Sequence, residues 1–217
     1  MAIFNNFSIA FFTVILFVGF SLVSTNSSAQ SKSNKGTEFW LGFMFHYEGN
    51  SAGHSLYITS DSSTSGTVSV PGASWSSNFT VTANNLTVVT IPASVAYNGC
   101  SDCTTSKGIK VTSLENVVVY AHQYLGNQSD ATLVLPTRTL GKVYYAAAYD
   151  QSSASSARGR STFIVVATQD STKVRITPTI DIQKGTATSS TGSKPANTSY
   201  EVILDEGEVY QGYGRYA

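Results

Sequence analysis

From Gly36 the chain reads GTEFWLGFMFHY, in which Phe39, Leu41, Phe43, Phe45 and Tyr47 alternate with Trp40, Gly42, Met44 and His46. Successive side chains of a strand point to opposite faces, so this spacing predicts one long strand with a strongly apolar face. The same period recurs in SLYITS (55–60), TVSV (67–70), NFTVT (78–82) and LTVVTI (86–91), with Ser, Gly and Asn supplying the turns between them. GIKVTS (108–113) and VVVYAHQYL (117–125) are expected as two strands joined by a tight turn at Glu115-Asn116. ATLVLP (131–136), KVYYAAAY (142–149), STFIVVAT (161–168), KVRIT (173–177), SYEVIL (199–204) and EVYQGY (208–213) continue the series. No segment sustains a 3.6-residue apolar period with caps. The expected class is all-β, built from antiparallel β-sandwich modules rather than helices on a sheet.

Three of these segments recur in the same order. GTEFW at Gly36 resembles GKVYY at Gly141, LYITSDSSTSGTVSVP at Leu56 resembles FIVVATQDSTKVRITP at Phe163, and NFTVTANNLTVV at Asn78 resembles SYEVILDEGEVY at Ser199. Shared order over that length predicts two modules in tandem, 30–140 and 141–217. The second would be incomplete, lacking the strands that follow the second hairpin of the first. The sequence is therefore expected to begin a longer polypeptide with further domains downstream.

The amino terminus predicts export. No charged residue precedes Lys32, and Ile9 to Val23 is a run of 15 mostly apolar residues. That suits a signal-peptide core better than a membrane span, which needs about 20. Ser27-Ser28-Ala29 provides small residues for cleavage after Ala29, so residues 1–29 are assigned as a signal peptide. An uncleaved anchor is the competing reading, since the first segment MAIFNNF has no Lys or Arg. No second run is long enough to span a membrane. The remainder is expected to be secreted or held at the cell surface.

Composition narrows the function. Charged residues are 12% of the chain and Lys+Arg and Asp+Glu are both 13, so there is no basic excess of the kind that nucleic acid selects. Ser and Thr are abundant instead. No GxSxG elbow, HExxH helix, Walker loop or helix-opening GxGxxG occurs, and no catalytic residue is assigned. His46 and His122 fall on strands and could approach one another with Asp130 or Glu48. A strand histidine more commonly has a Tyr or backbone partner, so no metal or cofactor is assigned. His54, in GNSAGHS, reads as a surface-loop residue. Asp61, Asp170 and Asp205-Glu206 fall in turns, where a carboxylate bonds its own backbone. Arg158 and Arg160 form the densest basic spot, beside a Ser-rich loop.

Cys100 and Cys103 form a CxxC in a poor helix-forming context, with no second ligand pair for zinc. In an exported chain a small disulfide is the best reading, a loop clip worth about 2 kcal/mol. Trp75, in the polar stretch PGASWSSN, is the candidate ligand-binding residue, because a turn-borne Trp can stack on a sugar or anchor a protein partner. Tyr213 and Tyr216 read similarly. The competing reading for Trp75 is a cap on the end of the sandwich.

The order of these segments resembles the IgG Fc-binding protein amino-terminal domain family. The matching stretches are GTEFWLGFM, YITSDSSTSGTVSVPG, FTVTANNLTVVTIP, GIKVTSLENVVVYAHQYLGNQSDATLVLPTRTLGKVYY, FIVVATQDSTKVRITP and LDEGEVYQ, over about 36–213. A signal followed directly by KGTEFW looks like its bacterial members, which open large secreted or surface proteins. The resemblance implies a non-enzymatic extracellular binding, adhesion or structural module with a protein or glycan partner. It supplies no catalytic motif. The alternative is a carbohydrate-binding sandwich or the accessory region of a secreted glycan-active enzyme.

Overall fold

In the computed structural model, residues 33–46, 49–126, 128–148, 161–185 and 192–214 are described. The first strands are β1 (Gly36–Leu41), β2 (Gly53–Thr59), β3 (Thr64–Val70), β4 (Trp75–Val81) and β5 (Leu86–Ile91). A one-turn helix, α1 (Ala93–Ala96), and the short β6 (Cys103–Thr105) lead to β7 (Ile109–Leu125) and β8 (Gln128–Val134). The chain is all-β, and its strand pairs are antiparallel. The assigned signal segment, 1–29, lies outside the described residues.

β7 is the spine of the larger sheet, in the order β4-β3-β7-β2-β5 with β1 and β8 also on β7. Its first part lies between β1 and β3, with Ile109 opposite Leu41 and Val111 opposite both Phe39 and Val68. Its second part lies between β2 and β8, with Ala121 opposite Leu56 and Thr132. One strand thus serves two groups of strands whose apolar faces share a cluster. Phe39, Leu56, Ile58, Val68, Val70, Ile109, Val111, Val117 and Val119 are fully buried there. Burying each such side chain contributes about 1.5–3 kcal/mol, and this cluster dominates the fold's stability.

Three sequence expectations change. Glu115-Asn116 is not a turn, because β7 runs unbroken from Ile109 to Leu125. Hydroxyls hold the backbone where β7 passes from one set of neighbours to the other. The Glu115 amide donates to Thr64 Oγ1 (3.0 Å) and Ser60 Oγ donates to the Asn116 carbonyl (2.7 Å). β1 stops at Leu41, so that Phe43 and Phe45 lie in no strand (Tyr47 is outside the described residues), and the Phe45 amide donates to the Gln211 side-chain oxygen (2.7 Å) instead of a ladder partner. Residues 141–148 form no strand, and Val143, Tyr144 and Tyr145 are exposed.

The later strands are β9 (Thr162–Val166), β10 (Thr172–Ile176), β11 (Ile182–Gln183), β12 (Gly192–Lys194), β13 (Tyr200–Leu204) and β14 (Val209–Tyr213). β9 pairs with β14 and β10 with β13, just as β2 pairs with β5 and β3 with β4. The connecting hairpins also agree. Asn84 (φ 61°) and Gly207 (φ 80°) both take the left-handed conformation, open to Gly and tolerated by Asn. The Asn84 amide donates to the Ser60 carbonyl (2.8 Å), and the Gly207 amide donates to the Ala167 carbonyl (2.9 Å). This places Gly207, not Asp205, opposite Asn84, two residues along from the match read in the sequence.

The two halves meet at the loop around the cysteines. β14 carries β9 on one edge and β6 on the other, with Val209 opposite Thr105 and Gln211 opposite Cys103. The Ser101 amide donates to Gly185 O (2.7 Å), and the Gly185 amide returns the bond (2.9 Å). Cys100 and Cys103 lie at disulfide distance, with Cα atoms 6.0 Å apart.

Candidate functional site

On the outer face of β3, β4 and β7, strand alternation sets small polar residues side by side. Ser65 lies opposite Thr80, and Thr67 lies opposite Asn78 on one side and Thr112 on the other. Together with Leu114 they line an open groove of about 540 Å³. Thr67 Oγ1 donates to Asn78 Oδ1 (2.9 Å), which fixes the amide's orientation. Leu114 is 79% exposed at one end of the groove. Among the described residues, no ionisable side chain lines it. Hydroxyls, an amide and an apolar contact suit a neutral, hydrogen-bonding ligand better than an ion.

Trp75 is not in a turn. It opens β4 opposite Val70 and packs, half-buried, against the main apolar cluster. The preceding short turn, Pro71–Ala73, ends in left-handed Ser74 (φ 51°), and the strand then begins at Trp75, three residues before the expected Asn78. Tyr213 is likewise a fully buried residue of β14, and its hydroxyl donates to Gly185 O (2.9 Å). Tyr216, Arg158 and Arg160 lie outside the described residues.

The histidines also differ from expectation. His54 belongs to β2 and is 1% exposed, not a surface-loop residue. Its ring stands edge-on to Phe43 with centroids 4.7 Å apart, its Nε2 is 3.3 Å from Gln123 Nε2, and its Nδ1 has no hydrogen-bond partner among the described residues. Burial lowers its pKa from 6.5 to about 4, and the charges of His46 and Lys107 act in the same direction. It is a neutral core residue. His122 lies instead against Tyr124 and 2.6 Å from Ser129 Oγ. Among the described residues, no group of three or more His, Cys, Asp or Glu could hold a metal ion.

Of the turn carboxylates, Asp61 pairs with Lys35 and Glu206 with Lys110, while Asp170 and Asp205 bond backbone amides of the opposite turn rather than their own. Asp205 accepts from the Ser171 amide (2.9 Å) and Asp170 from the Glu206 amide (3.0 Å), which ties the two turns of the second half together. The sequence did not reveal the polar joint around Gln211. Its Nε2 donates to the carbonyls of Asn98 (3.0 Å) and Cys100 (2.6 Å). Nearby, Tyr210 donates to Asp102 (2.8 Å) and shares a second bond with Tyr200 (3.0 Å), and burial first, then these bonds, raises its pKa. The only available signal was Gln211 amid the apolar EVYQGY.

An antiparallel β-scaffold with an uncharged polar groove on one face has the features of a binding module. The family model described as IgGFc binding protein matches residues 130–216, from β8 through β14. No curated protein and no solved structure matches the chain. No helix among the described residues is long and apolar enough to cross a membrane.

Proposed function

We propose that the chain is a non-enzymatic extracellular binding or adhesion module of the IgGFc binding protein family, carried by a secreted or cell-surface bacterial protein. The observation that carries this reading is the family match over 130–216, which includes the whole β9–β14 half. Export would follow from the apolar run Ile9–Val23, with cleavage after Ala29. In the oxidising compartment Cys100 and Cys103 would remain bridged as a structural clip on the joint. The partner is an extracellular protein or glycan, and neither cofactor nor nucleic acid enters. The test is binding of the exported protein to immunoglobulin Fc, mucins, matrix proteins and a glycan array. Saturable binding to one class supports the reading, and silence across the panel removes it.

A second reading, a carbohydrate-binding sandwich or the accessory region of a glycan-active enzyme, draws on the uncharged groove. On that reading Leu114→Ser and Thr67→Ala would weaken glycan binding with little change in stability, since both are surface changes. Array binding unaffected by either variant would exclude the groove.

A further inference from the structure

In the first half, β2 and β3 each have two strand neighbours, one of which is β7. In the second half their counterparts have one each. β9 pairs with β14 and β10 with β13, and no strand pairs with the opposite edge of either among the described residues. The two open edges are those that β7 would occupy if the arrangement of the first half were repeated. β1, whose strand partner is β7, has its sequence counterpart at residues 141–148, which lie in no strand.

The cores differ in the same sense. Leu56, Ile58, Phe79 and Val81 are at most 5% exposed. Around the second cluster, only Ala167, Leu204 and Tyr210 are buried, and Phe163, Val165, Val174, Ile176, Tyr200 and Val202 are half-buried. β9 is covered on both faces. Phe163 and Val165 pack on that cluster, while Ile164 and Val166 lie where a Cβ on Gly42 would be 2.9 and 3.3 Å away. Among the described residues, Phe163–Val166 is open along its edge, not its face. Phe163-Ile164-Val165-Val166 carries neither the Lys nor the Pro that normally blunts an exposed edge.

We propose that the β9 and β10 edges form an acceptor site for one extended polypeptide strand with the residue pattern of β7. Such a strand adds antiparallel to both edges at once, gaining ladder hydrogen bonds from each. The residue pattern it needs is the one β7 shows. Ile109 and Val111 are buried on the first stretch, Leu114, Glu115 and Asn116 are exposed at the passage, and Val117, Val119 and Ala121 are buried on the second. Backbone pairing supplies affinity, and the half-filled second cluster selects apolar residues at alternate positions. The site depends on strand geometry alone, so it does not stand or fall with the ligand class proposed above.

The test supplies that strand. A synthetic peptide of residues 109–125, with lysines added at its ends for solubility, is mixed with the full chain and amide exchange is followed by mass spectrometry. Exchange at Phe163–Val166 and Thr172–Ile176 is expected to slow by about tenfold or more, with β4 and β5 unchanged. The same peptide carrying V111P and V119P, which cannot donate at those ladder positions, should give no protection. A second protein, extended after Ala217 by a copy of residues 92–125, presents the strand intramolecularly and should show the same protection if the free peptide aggregates. The proposal is overturned if neither the peptide nor the extension protects these segments, or if the proline peptide protects them equally. It is also overturned if protection without peptide rises with protein concentration, because a second copy then covers the edge.

Discussion

The side-chain amide of Gln211, on β14, donates to the carbonyl of Cys100 at 2.6 Å. That bond joins the second half of the chain to a loop of the first, and it belongs to a fully engaged group. The same Nε2 reaches the Asn98 carbonyl, and Oε1 accepts the amide of Phe45, where β1 has ended. Buried polar groups carry their full desolvation cost when a partner is removed, so one side chain here holds three strand-less backbone groups.

Gln211→Leu keeps the side chain's bulk but leaves the Phe45 amide and two carbonyls unpaired. The expected loss is about 3 kcal/mol or more, a fall in Tm of about 6–12 °C for a chain of this size. Urea denaturation with an unchanged m-value would check it. An unmoved midpoint would show that the joint is not stabilised by this side chain.

His54 predicts the direction of acid sensitivity. Its folded pKa, about 4, lies below its ordinary 6.5, so the unfolded chain takes up the proton first as pH falls. The contribution of neutral His54 is therefore complete above pH 6.5, declines from there to about pH 4, and is fully lost below that. Its size is at most about 3 kcal/mol at 1.36 kcal/mol per pKa unit. His54→Phe places an apolar ring beside Phe43 and should flatten the stability profile between pH 6.5 and 4. A variant profile parallel to that of the wild type would assign the slope to carboxylates instead.

Period-two alternation made the all-β class and most strands legible, because a strand half-buried on one face must alternate. It could not show where a strand changes neighbours. Glu115-Asn116 has turn composition, yet Thr64 and Ser60 satisfy its backbone within a continuous strand. Nor could it show strands that lack a partner, and residues 142–148 keep a strand-like sequence without forming one. His54 follows Gly53 in a Gly- and Ser-rich stretch, and its ring is surrounded by residues distant in sequence, Phe43, Tyr97 and Gln123. The acceptor edges and the Gln211 joint are relations between distant segments, for which a single sequence carries no local signal.

Trp75 separates a packing role from a ligand-binding one. Half-buried on the main cluster, it should cost about 2 kcal/mol of stability on replacement by Ala, less than a fully buried Trp. Leu114→Ser, at an exposed position, should shift stability by no more than about 0.5 kcal/mol. Parallel urea titrations check both. If Trp75→Ala left stability unchanged while abolishing binding, the indole would be a ligand contact rather than a cap.

Gly108 tests whether the joint requires close backbone approach. Its amide donates to Gly207 O at 2.9 Å, and a Cβ at residue 108 would lie 2.5 Å from that same oxygen. Neither atom can swing aside as a side chain could, because Gly207 sits in the left-handed turn held to Ala167 and β7 begins at Ile109. Gly108→Ala must therefore displace the β13–β14 hairpin or break its bond to residue 108. The expected loss is about 1–3 kcal/mol, the usual cost of an overpacked site. Exchange should rise first at Gly207 and along β6–β14, while β2 and β5 keep their protection. Uniform acceleration across both halves would mean that the hairpin and the first sheet unfold as one unit, and that residue 108 is not where the two separate.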